Sequence, residues 1–191
     1  SPGTALEALG RGHADEVAAE DALKLLVEVA AARQDPGLGA ELDRLADTLA
    51  RNEGAGSFAL YQRAQLLEKD GQLDAALARY DTLWQRFPRG PLFDDALVAA
   101  AQLLRRQRRS PEAAERLERL EASFTKSIII GHYNKLLLDE GAILLGEIYL
   151  RDLHQPERAI YALERLLKRQ RTSLLCDDAL LLMAEAALAR H

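Results

Sequence analysis

Residues 64–87 read AQLLEKDGQLDAALARYDTLWQRF, and residues 101–124 read AQLLRRQRRSPEAAERLERLEASF. At an offset of 37 they agree at Ala64/Ala101, Gln65/Gln102, Leu66/Leu103, Leu67/Leu104, Ala76/Ala113, Arg79/Arg116, Leu83/Leu120 and Phe87/Phe124. In the second half of each copy the shared positions recur at three- and four-residue steps, the period of a helix face rather than of a strand. A fixed period of this kind decides the fold before any single motif does.

Outward from this pair, turn-forming residues divide the chain into helical stretches. Asp35-Pro36-Gly37 separates a helix over about Asp15–Gln34 from one over Gly39–Asn52, because proline disfavours helix before it and glycine permits a reversal. Gly54 and Gly56 read as a looser joint. Beyond them the pattern predicts helices over Phe58–Asp70, Leu73–Phe87, Asp94–Arg108, Pro111–Phe124, about Tyr133–Asp152, Pro156–Gln170 and Asp177–Arg190. A second echo sets Asp94-Asp95-Ala96-Leu97 against Asp177-Asp178-Ala179-Leu180. In both copies two carboxylates open a helix, where they face the positive end of its dipole. Only Ile128-Ile129-Ile130 is β-rich, so the chain reads as all-α.

Composition agrees. The 191 residues are 48% hydrophobic and 29% charged, which excludes disorder as a description of the whole. Aromatics are only 5%, so the core is aliphatic, chiefly Leu and Ala, both good helix formers. No apolar run is long enough to span a bilayer. A single cysteine, Cys176, excludes an internal disulfide and a multi-cysteine metal site. The formal net charge of −5 argues against a general nucleic-acid binder. The chain starts at Ser1 and its one methionine is Met183, as expected of a processed product or an excised fragment.

The spacing resembles the tetratricopeptide repeat, a helix–turn–helix unit of about 34 residues. Leu60, Ala64, Leu67, Gly71, Ala76, Tyr80, Leu83 and Pro88 fall at the family's positions. A second unit supplies Leu97, Ala101, Leu104, Ala113, Leu117 and Leu120. A third has Leu145, Gly146 and Tyr149, then Ala159, Leu163 and Leu166 after a turn one residue longer; a fourth first-helix carries Leu180, Met183 and Ala184. Small residues at Ala64, Ala101, Gly146 and Ala184 let one helix approach the next, and Ala76, Ala113 and Ala159 do the same from the second helix. Such hairpins bury their apolar faces by stacking, so the resemblance implies a superhelix, an α-solenoid. The expected organisation is an N-terminal helical extension, residues 1–54, with residues 13–52 a candidate degenerate pair. Repeats follow over 55–191, at about 57–90, 94–127, 139–173 and, in part, 177–190.

There are departures. Arg63 stands where the family has an apolar residue, Arg108 where it has the turn glycine, and Thr125 where it has the closing proline. The small positions recur at intervals of 37, 45 and 38, which puts about eight extra residues somewhere in Thr125–Leu138. The Asp-Asp-Ala-Leu openings resemble bacterial envelope repeat proteins, such as outer-membrane assembly lipoproteins and cell-division coordinators. That likeness implies a periplasmic or membrane-anchored setting rather than a cytoplasmic one.

No catalytic constellation emerges. His13, His132, His154 and His191 show no metal-binding spacing, and no phosphate-binding or dinucleotide motif occurs. His132-Tyr133 lies in the insertion, and His154 reads as a solvated turn residue. Cys176 reads as a buried, inert thiol, since its counterpart in the other Asp-Asp-Ala-Leu copy is Phe93. The runs Arg105-Arg106-Gln107-Arg108-Arg109 and Lys168-Arg169-Gln170-Arg171 complement helix C-termini, although arginines can also grip a partner's carboxylates.

The resemblance implies a non-catalytic scaffold that holds a protein or peptide segment along its first helices. No cofactor, metal, small-molecule substrate or nucleic acid is expected. The family's groove positions carry over to Phe58, Tyr61, Gln65, Glu68 and Lys69, then Asp95, Val98, Gln102, Arg105 and Arg106. In the third unit they fall on Glu140, Ile143, Glu147, Leu150 and Arg151. Phe58, Tyr61, Val98 and Ile143 are the expected apolar anchors, while the charges fix register. Packing against residues 38–52 is the other role open to Phe58 and Tyr61. The alternative function is a structural subunit of a membrane-associated assembly, joined through its repeat edges.

Overall fold

A computed structural model describes residues 16–126, 135–169 and 174–190. Within them the chain is all-α, without a strand. The helices are α1 (Glu16–Ala32), α2 (Leu38–Thr48), α3 (Glu53–Lys69), α4 (Leu73–Arg86), α5 (Phe93–Arg106), α6 (Ser110–Lys126), α7 (Lys135–Glu147), α8 (Pro156–Arg169) and α9 (Cys176–Leu188). One π-helical turn, Ile148–Asp152, follows α7 directly. This is a tetratricopeptide-like helical repeat fold. The chain divides into two compact units, residues 1–96 and 97–191, with the boundary inside α5.

In the first unit α3 packs against both α2 and α4, with α1 laid on α3. Ala64 and Ala76 are fully buried, as the repeat spacing requires, and Leu42, Leu45, Tyr80, Leu83 and Phe87 fill the space around them. Gly54 and Gly56 are not a joint but lie in the first turns of α3, which starts at Glu53 because the Asn52 side chain accepts from Ala55 N–H (2.9 Å). Gly56 has a packing reason: a Cβ there would stand 2.5 Å from the buried Phe87 ring. Arg63 replaces the family's apolar residue because its guanidinium lies over Gly39 and pairs with Asp43 (3.0 Å).

In the second unit Ala101, Ala113 and Ala159 are fully buried, and Gly146 is buried against Leu163. A Cβ on Gly146 would lie 2.9 Å from Leu163 Cγ, so α7 and α8 touch through a missing side chain. Ala184 departs from this pattern. It is exposed, Leu180 beside it is 53% exposed, and Leu181 and Leu188 also face water. Among the described residues no second helix covers that face of α9; its other face, Ala179, Leu182 and Ala186, is buried. Cys176 is half-buried rather than enclosed.

The hairpin turns are alike. Gly71 (φ 74°), Arg108 (φ 60°) and His154 (φ 53°) take the left-handed conformation at the same repeat position. Gly71 N–H donates to Glu68 O and Gln72 N–H to Leu67 O; Arg108 N–H donates to Arg105 O and Arg109 N–H to Leu104 O. This is the Schellman closure. Gln34 (φ 53°) closes α1 onto α2 in the same way, with Gln34 N–H on Ala31 O and Asp35 N–H on Ala30 O. In the third hairpin the extra residue sits inside the helix, not in the turn: Leu153 N–H reaches Ile148 O (3.0 Å), the wider π spacing. His132-Tyr133, Ile128–Ile130, His13 and His191 lie outside the described residues.

An arginine at positive φ costs about 1 kcal/mol relative to glycine. Arg108→Gly therefore raises stability by up to about that amount, read as an increased midpoint in urea unfolding. Gly146→Ala forces Leu163 out of place and lowers stability by about 1–3 kcal/mol in the same measurement.

Candidate interaction surface

The first unit offers the solvent side of α3. Tyr61 is half-buried, edge-on to Tyr80 at 5.5 Å between ring centroids, so it packs within its own hairpin. Burial, then the charges of Asp95 and Glu68, hold its hydroxyl above the usual phenol range. Gln65 and Lys69 are exposed one and two turns further along, and Phe58 is half-buried. Glu68 is engaged within the hairpin, where it accepts the hydroxyl of buried Tyr80 (2.8 Å).

Asp94 behaves unlike the dipole partner read from the sequence. It is 8% exposed, and its Oδ1 is buried without a hydrogen-bond partner among the described residues. Burial, reinforced by the Asp95 charge, raises its carboxyl from 3.8 to about 6. Ser57 and Asp139, both buried, occupy the same repeat position.

The second unit carries a ladder of charge across three first helices. Arg105 of α5 donates to Glu147 Oε2 (2.6 Å) at the end of α7 and to Asp152 Oδ2 (2.9 Å) in the π-helical turn that follows it. Ser110 Oγ donates to the same Asp152 oxygen (3.0 Å). Arg151 continues the row, reaching back to Glu147 (3.3 Å) and on to Glu185 of α9 (3.1 Å). Burial works against the Arg105 charge, but the bonds from Glu147 and Asp152 outweigh it and keep the guanidinium protonated. Gln102 and Arg106 are exposed beside this ladder.

Arg105, Glu147 and Arg151 are thus brought together, and Glu185 and Asp152 join them unannounced by the sequence. Val98 does not belong. It is 5% exposed, packed near Gly141, where a Cβ would be 3.8 Å from its Cγ2. An anchor for a partner needs an accessible face, and Val98 has none. Ile143 and Leu150 are partly buried against the Leu163–Leu182 core. Among the described residues no group of three or more His, Cys, Asp or Glu could hold a metal, and no helix is long and apolar enough to cross a membrane.

Comparison with known proteins fits this geometry. Residues 58–89 match the tetratricopeptide repeat family, so α3 and α4 are a tetratricopeptide repeat. Such repeats generally mediate protein–protein interaction and are typically non-catalytic scaffolds. No curated protein matches the chain.

Two outcomes follow from the electrostatics. Arg105→Glu sets a third carboxylate beside Glu147 and Asp152 and lowers the urea midpoint. Because the folded state holds the Asp94 proton more tightly than the unfolded chain, stability falls as pH rises from about 4 to about 6 and stays reduced above. In thermal melts across that window Asp94→Asn flattens this loss and melts higher at pH 7.

Proposed function

We propose that the chain is an interaction module, each of whose two units offers the solvent side of its first helices to a segment of a protein partner. Tyr61, Gln65 and Lys69 serve in the first unit, and Gln102, Arg106, Glu147 and Arg151 in the second. The observation that carries this reading is the Arg105–Glu147–Arg151–Glu185 ladder, with exposed Gln102 and Arg106 alongside. Fixed charges of alternating sign on adjacent helices suit an extended peptide whose own charges alternate, setting its register. Arg105 acts here as a support, holding Glu147 in place, rather than as a direct contact.

Site-specific photo-crosslinking in the source cells tests the reading. A crosslinker at Gln65 in the first unit or at Gln102 in the second captures a defined polypeptide, and one at Ala78 or Gln85 on α4 does not. Capture from the α4 positions alone overturns it.

A second reading, assembly through a repeat edge, is favoured by exposed Leu180, Leu181 and Leu188 on α9. It predicts concentration-dependent self-association in sedimentation velocity that Leu181→Lys abolishes.

A further inference from the structure

The second unit holds a cavity of about 270 Å³ that lies away from the charge ladder, on the side built by the second helices α6 and α8. Its floor is apolar: Leu145 and Ala162 are buried, and Tyr149 is 2% exposed with the Arg158 guanidinium stacked 4.2 Å from its ring centroid. Pockets for whole drug-sized ligands run about 300–1,000 Å³, so this one suits a single side chain. Tyr161, 65% exposed, stands at the rim as an aromatic wall.

The polar groups around the floor are unequally engaged. Glu118 accepts the Tyr149 hydroxyl and Arg158 Nη2 (2.6 Å) through one oxygen. Glu121, 4% exposed, is held through both oxygens by Arg169 Nη1 (3.2 Å each). Arg165 is left at the rim with one ion-pair contact, Nη2 to Glu121 at 3.3 Å, although a guanidinium has five N–H donors. Glu121 is therefore occupied and Glu118 keeps one oxygen open to solvent, while Arg165 is the cation with unused donors, and it binds planar carboxylates well.

We propose that this cavity takes an apolar side chain of leucine to phenylalanine size from a partner polypeptide whose neighbouring residue is a carboxylate bound by Arg165. Tyr161 covers the inserted side chain, and the Tyr149–Arg158 stack forms its floor. Aromatic and arginine side chains around a small, desolvated pocket are the usual composition of an interaction hot spot. This site is independent of the surface on the first helices, and a partner could engage either alone.

The test uses three acetylated, amidated tripeptides, Asp-Phe-Asp, Ala-Phe-Ala and Lys-Phe-Lys, titrated into the isotope-labelled protein by NMR. Non-specific attraction to a chain of net charge −5 favours the basic peptide, so preference for the acidic one reports on the local arginine. The expected result is amide shifts around Leu145, Tyr149 and Ala162, with Asp-Phe-Asp binding roughly tenfold more tightly than Ala-Phe-Ala. Arg165→Gln removes that preference without unfolding, since Arg169 still holds Glu121, and Tyr161→Ala weakens both peptides. Shifts elsewhere, equal or tighter binding of Lys-Phe-Lys, or an acid preference that survives Arg165→Gln would each overturn the proposal.

Discussion

Close approach of helices through residues with little or no side chain is the constraint on which this structure rests. Gly146 lies so near Leu163 that not even a methyl group fits between them undisturbed. Ala64, Ala101, Ala76, Ala113 and Ala159 are all fully buried at the equivalent positions. With so few aromatics in the chain, aliphatic packing at this short range supplies the dispersion contacts that larger rings would otherwise provide. Each helix then presents its remaining faces at fixed rotations, and those rotations place the charged rows and the small cavity where they are.

Much of this architecture was legible because periodicity and turn chemistry are local. The offset between residues 64–87 and 101–124 located four helices to within a few residues. Local pattern does not say what covers a face, however. Ala184 has the same spacing as Gly146, yet one is exposed and the other buried, because burial depends on a neighbour. Val98 had the composition of an anchor, but Gly141, adjoining Leu117 and Leu120, lets α7 close against α5. The glycine was the available signal, and it was readable only once the partner helix was known.

Charges were harder still. The acceptors of Arg105 lie 42 and 47 residues away, so its run of arginines looked like a helix terminus complementing a dipole. Asp94 and Asp177 open helices with identical motifs, but only Asp94 is buried. Desolvation is a property of surroundings, and two equal sequences can titrate differently. The longer third hairpin was evident from its 13-residue spacing between Gly146 and Ala159. The left-handed residue recurs at His154, but the closing bond from Gln155 N–H to Tyr149 O spans six residues rather than five, so the extra residue is taken up by the widened last turn of the helix.

The ladder on the first helices has a kinetic corollary. Since Arg105 and Arg151 are paired with Glu147, Asp152 and Glu185, most of their charge cancels and the remaining field is screened within about 10 Å of the surface. An incoming chain would feel little long-range pull and would encounter this face at ordinary diffusive rates, about 10⁵–10⁶ M⁻¹s⁻¹. On the proposed function, recognition would come after contact, by exchange of an internal counter-ion for an external one, and rival ligands would differ in how long each stays.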